Sequence, residues 1–264
     1  MKRTVVLLLL LALTLSTAAC AGEAGGGGGG VGGPKTALAY DTYSQATEAM
    51  SNIESLIADT DISMTMSFAG QDMSVEMSGI IKQVILSETE LEMQMNMRTI
   101  TMGEEIDFIT YYKDGVYYME LEEQKMCMEV PLEHIQAQAN TEALAFPDTA
   151  IKEQQATEKD GGQELYFILD GSTLTEAITK QIGSIGDMLG EQSELTIGDI
   201  EYKVFVDAQG DLKTTWMSFE MEMNILEEAV PISMEASLNY LQINNVSIDF
   251  PADLDTYLPF GDLL

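Results

Sequence analysis

The stretch "ELEMQMNM", Glu90 to Met97, places leucine or methionine at every second position and a polar residue between each pair. Side chains in a β-strand alternate between the two faces of a sheet, so Leu91, Met93, Met95 and Met97 share one face while Glu90, Glu92, Gln94 and Asn96 share the other. The same alternation runs through "SMTMSF" (Ser63 to Phe68), "KMCMEV" (Lys125 to Val130) and "MSFEMEMNI" (Met217 to Ile225). Strands patterned this way pair into a sheet that is wet on one side and apolar on the other.

Working outward, period-two runs are expected at roughly 62–69, 72–86, 88–102, 104–113 and 116–130. The turns between them are marked by "AGQD", "MGEE" and Asp114-Gly115, and short turns of this kind imply antiparallel pairing. Before them, Tyr43, Ala46, Met50, Ile53 and Ile57 recur at spacings of three and four, which predicts an amphipathic helix across "YDTYSQATEAMSNIESLIAD". Pro131 opens a second expected helix, "PLEHIQAQANTEAL", because a first helical turn has no use for the donor that proline lacks. A weak strand near 149–158 and a better one at "ELYFILD" flank the hairpin signal Asp160-Gly161. Ser172 is then read as the cap of a third helix carrying Leu174, Ile178, Ile182, Ile185 and Leu189 on one stripe. The last quarter returns to strand. The expected fold class is α+β: a strongly curved antiparallel sheet, or half-barrel, with about three helices on its concave apolar face.

The amino end predicts export. Lys2 and Arg3 precede the apolar run "VVLLLLLALTLS", which is short for a bilayer span, and small residues follow up to Cys20. "STAAC" resembles the lipobox of bacterial lipoproteins, with Thr17 at the place where those proteins usually carry leucine. The resemblance implies that Cys20 is the lipidation site. Glycine-rich "AGEAGGGGGGVGGPK" then reads as a flexible tether with a root-mean-square reach of about 20 Å. Residues 1–19 are thus assigned to a signal peptide, 20–35 to the tether and 36–264 to a single half-barrel domain.

Charge narrows the partners. The 12 basic residues fall to 10 when Lys2 and Arg3 leave with the signal, against 44 acidic ones, and the net charge moves from −32 to −34. A chain this acidic is excluded from nucleic-acid binding, and it would be repelled by an anionic bilayer, so attachment at the extracytoplasmic face of the cell membrane must come from acyl chains. No calcium-loop spacing occurs. With Cys20 acylated, Cys127 has no partner for a disulfide, and neither an Asn/Asp partner nor a family signature frames Cys127 and His134 as a nucleophile pair. No enzyme, no cofactor and no metal site is expected, and a monomer is.

Three explanations compete for the methionines: an ordinary core, a soft lining for a mobile ligand, or thioether ligation of copper(I) at Met-x-Met pairs. Flexible, polarisable methionine suits a surface that repacks around a ligand, whereas Ile, Val and Leu specify a tight core better. The candidate lining is Met64, Met66, Phe68, Met77, Met93, Met95, Met97, Phe108, Met217, Phe219, Met221 and Met223.

Together the lipobox, the glycine tether, the methionine-alternating meander, "YYKDGVYYMEL", "VFVDAQGDLKTTWMSFEM" and "VSIDFPADLDTY" resemble an uncharacterised family of lipoproteins from Gram-positive bacteria. More remotely the layout is similar to the half-barrel lipoproteins typified by LolA, LolB, LprG and LppX. That resemblance implies a hydrophobic cavity for acyl chains, and hence a surface lipoprotein that binds or carries a lipid or other apolar ligand. The other class left open is an envelope structural or interaction lipoprotein with no bound ligand.

Overall fold

A computed structural model describes residues 37–68, 71–87, 89–132, 146–175, 195–225 and 228–260. Helix α1 spans Ala37–Met50. Six strands follow: β1 (Ser55–Phe68), β2 (Gln71–Ser87), β3 (Glu90–Thr101), β4 (Glu104–Lys113), β5 (Val116–Leu121) and β6 (Gln124–Glu129). After a 3-10 turn at Asp148–Ala150 come β7 (Ile151–Lys159), β8 (Gly162–Leu169), β9 (Leu195–Val206), β10 (Leu212–Ile225), β11 (Glu228–Ile243) and the two-residue β12 (Leu258–Pro259). All belong to one open sheet in the order β12-β6-β5-β4-β3-β2-β1-β11-β10-β9-β8-β7. Every neighbouring pair is antiparallel except β12 with β6, which is parallel.

Each half of the sheet is a meander, and the halves join where β1 pairs with β11. Hairpin chemistry explains the meanders. Met102-Gly103, Asp114-Gly115 and Asp160-Gly161 all hold positive φ at both positions, from 50° to 81°, as tight turns that follow the twist of their strands require. Glycine is needed at a different kind of place at position 79. It faces Met97 across the β2–β3 ladder, and a Cβ there would fall 2.7 Å from the Met97 sulfur and against the Asn96 carbonyl. The missing side chain makes the space that the methionine fills.

Four details depart from the sequence-based expectations. The helix stops at Met50, and Ile57 lies in β1, whose residues Leu56, Ala58, Thr60, Ile62, Met64 and Met66 alternate into the core. Pairing with β2 and β11 on both sides outweighs a helical stripe that continued only as isolated isoleucines. The run 116–130 is two strands of six residues, because Glu122 turns back at φ 55° and the chain pairs with itself. At residues 171–175, which are helical, the cap is Asp170: its carboxylate accepts from the Ser172 amide at 3.0 Å and the Ser172 hydroxyl at 2.6 Å. Parallel β12 had no counterpart in the expectations. The expected helix at 131–144 and most of the one following Ser172 lie outside the described residues, as do the signal peptide, the tether and Cys20.

One face of the sheet, here the inner face, is apolar and the other acidic. The inner face buries a continuous cluster from Leu91 and Met93 on β3 to Leu165 and Phe167 on β8. On the outer face, polar side chains pair across strands, as in Arg98 with Asp107 at 2.9 Å and Lys113 with Glu92 at 3.3 Å. Such exposed pairs are solvent-screened and contribute little stability; burial of the inner face holds the sheet together.

Candidate site on the methionine-bearing inner face

The inner face is divided by composition. Helix α1 packs against β7, β8, β9 and β10, and over β8 and β9 the contact is aromatic. The Tyr43 ring stacks on Phe146 at 4.8 Å and meets Phe167 at 5.5 Å and Tyr202 at 5.8 Å, while Phe146 meets Phe167 edge-on at 5.3 Å. Rings at these separations and tilts hold one another in defined positions. Burial raises the Tyr43 phenol well above its ordinary pKa, with Tyr202 adding to the shift.

On β1 to β3 the same face is lined by methionine. Met64 and Met66 on β1, Met77 on β2, and Met93, Met95 and Met97 on β3 are all buried, Met93 to 1 % exposure. Phe108 on β4 lies opposite Met97 and is also buried. From the other half of the sheet Phe219, Met221 and Met223 join the buried set, while Met217 is only half-buried. The β1–β11 pairing then sets Met64 directly beside Met234, which itself faces Phe219 on β10. Phe68 ends β1, and its side chain is outside the described residues.

Ten of the candidate lining residues therefore share one buried face. The sequence-based list missed Met234, Ile232 and Val230, which continue that face on β11. Their signal was present as alternation in "AVPISMEAS", with Pro231, Ser233 and Glu235 on the opposite side. It also missed a set of inward polar groups: Thr99, Thr101, Thr110 and Gln83 are buried on the same face as the methionines. Tyr117, opposite Tyr112 at the end of this region, has its phenol pushed up to about 12 by burial. The Tyr112 hydroxyl donates to the Val130 carbonyl at 3.2 Å.

The outer face has a shallow depression of about 260 Å³ across β11, β1, β2 and β3, lined by Asp61, Ser63, Glu76, Arg98 and Glu235 among others. Its charged lining belongs to the acidic side, with Ile62 and Met77 also bordering it. Cys127 is on the outer face too, as its place between Met126 and Met128 implied, but it is half-buried beneath the carboxyl-terminal segment, its thiol 3.5 Å from the Tyr257 carbonyl. Among the described residues no group of three His, Cys, Asp or Glu side chains is placed to hold a metal ion, and no helix is long and apolar enough to cross a membrane.

A family model described as "Family of unknown function (DUF6612)" matches residues 39–255. No curated protein matches the sequence. Among solved structures, LprF from Mycobacterium bovis is similar over 83% of this chain and 100% of its own, at 10% identity and a TM-score of 0.50. At that identity the likeness is one of fold. A "putative outer membrane lipoprotein-sorting protein domain" from Vibrio parahaemolyticus matches over 84% of this chain and 96% of its own at 10% identity, with a TM-score of only 0.26.

Proposed function

The chain belongs to the DUF6612 family, of unknown function, and from that premise we propose that it is a non-enzymatic, lipid-anchored lipoprotein of the cell envelope that binds or carries a lipid or other apolar ligand against its methionine-bearing inner face. In this reading the sheet curves as a half-barrel, helices at 131–144 and beyond Ser172 accompany α1 on the concave side, and Cys20 carries the anchor at the end of a glycine tether.

The observation that carries the reading is the division of the inner face. Where α1 docks, the contacts are interlocking rings, suited to a fixed core. Where methionine lines β1 to β3, each side chain has three rotatable bonds and a polarisable sulfur, and such a surface repacks around a mobile chain at little cost. A fold shared with LprF supports the architecture.

The test is uptake of a fluorescent fatty acid by the delipidated, monomeric protein, followed by the same measurement on Met95→Lys. A cationic head in a dry apolar lining costs several kcal/mol unless paired, so the variant should stay folded by circular dichroism and lose uptake. If the wild type takes up no probe, or if Met95→Lys unfolds the domain outright as it would in a solid core, the lipid reading is wrong.

A further inference from the structure

Two hydroxyls on the methionine-bearing face make no formed hydrogen bond among the described residues. Thr99 Oγ1 and Thr110 Oγ1 are buried, their residues 1 % and 0 % exposed, and neither has a hydrogen-bond partner among the described residues. The Tyr117 hydroxyl lies beside Thr110, an interaction that holds the phenol's pKa below what burial alone would give, but the pair does not reach the geometry of a formed hydrogen bond. Thr60, on the same face of β1, shows the contrast: its hydroxyl donates to the Ser237 carbonyl at 3.2 Å. A buried hydroxyl deprived of water forfeits about 1–3 kcal/mol, and native proteins rarely leave such a group orphaned without a role for it.

Their position is specific. Thr99 follows Met93, Met95 and Met97 on β3 and points to the same side, between Met77 on β2 and Ile106 on β4. Thr110 sits on β4 directly opposite Met95, with Met119 on its other flank. Four residues separate Met95 from Thr99, so the two hydroxyls stand about 13 Å apart along the strands. Met97 and Phe108, a cross-strand pair, fill the interval. Valine, nearly the same shape as threonine, would have made this stretch wholly apolar and removed the desolvation cost.

We propose that the ligand of this face is an oxygen-bearing acyl lipid, a fatty acid or acyl ester, whose carbonyl is drawn into the buried methionine lining and accepts a hydrogen bond from Thr99 or Thr110. This rests on the lipid reading above and narrows it: a bare hydrocarbon leaves both hydroxyls unpaired, whereas a carbonyl oxygen satisfies one of them. The spacing of about 13 Å means that a single ester meets one hydroxyl at a time, so the two act as separate stations along the chain's path. The polar end of the lipid then lies inside the protein and not at a solvent-exposed mouth.

The experiment uses methyl palmitate labelled with carbon-13 at its carbonyl, and hexadecane as a competitor of matched chain, with the mature protein after delipidation. In the wild type the bound carbonyl resonance should move downfield from its position in hydrocarbon solvent, as a hydrogen-bonded ester does. The double variant Thr99→Val/Thr110→Val should lose that shift and bind the ester about three- to ten-fold more weakly, the range a single hydrogen bond supplies, with hexadecane affinity kept within about two-fold. Thr99→Ser with Thr110→Ser retains both donors and should retain the shift, which covers the case of a valine variant that folds poorly. A wild-type resonance at its hydrocarbon or aqueous position, or equal losses for ester and hydrocarbon, would overturn the inference while leaving lipid binding in place. Failure of the folded wild type to bind either compound would remove the lipid reading itself, and this inference with it.

Discussion

Tyr117 shows what a single buried side chain contributes. It faces Tyr112 across the β4–β5 ladder with its phenol withdrawn from water, and burial raises its pKa to about 12 from an ordinary 10. The unfolded chain therefore ionises this group first as pH rises. Stability from the neutral phenol is fully present below pH 10 and is lost between pH 10 and 12, by about 3 kcal/mol at most. Tyr43, raised in the same direction by burial, adds to the loss. Urea midpoints measured from pH 9 to pH 12 should fall, and Tyr117→Phe should flatten part of the decline. An unchanged slope in the variant would mean that Tyr117 is solvated in the folded state. Residue-scale features were partly legible in the sequence: the glycines of Met102-Gly103 and Asp114-Gly115 announced their turns, but nothing local indicated that Gly79 makes room for the Met97 sulfur.

At the scale of elements, the carboxyl-terminal segment acts as a strap over the outer face of β4 to β6. Phe250 meets Tyr111 at 6.0 Å and lies under Lys113 at 4.6 Å; Tyr257 meets Tyr118 edge-on at 5.4 Å; Asp253 pairs with Lys125 at 2.7 Å. The Tyr257 hydroxyl also donates to Glu120. This cover explains why Tyr111, on the solvent side by strand parity, is buried, and why Cys127 is half-buried. In a Cys20→Ser background, Phe250→Ala with Tyr257→Ala should speed maleimide labelling of Cys127 in the folded protein by about ten-fold or more, the change expected when local opening becomes easier by about 1.4 kcal/mol. Labelling at the wild-type rate would show that the strap does not shield the thiol. Parity in "KMCMEV" put Cys127 on the outer side correctly, yet the strap itself was invisible, because it binds through contacts more than a hundred residues apart in sequence.

For the whole molecule, the proposed anchor makes the most direct prediction. Cys20→Ala removes the thiol that a diacylglyceryl group would occupy, so the protein should appear in the medium or remain unprocessed. A processed variant that stays with the membrane fraction would sink the lipoprotein assignment. With its large excess of acidic residues, the domain has no electrostatic attraction to an anionic bilayer that could substitute for the anchor.

By itself the sequence determined which residues share a face, where most hairpins turn and that the chain makes one two-sided sheet, because strand alternation and turn chemistry are local properties carried by neighbouring residues. Only the tertiary structure decided that β1 and β11 join the two meanders and bring Met64 beside Met234. It also decided that β1 begins at Ser55 where the helical stripe predicted a helix, and that an aromatic cluster forms under α1 while methionine lines β1 to β3. Those outcomes depend on pairings between segments far apart in the chain, whose free energy comes from burying one face against another and leaves no periodic trace in either segment alone.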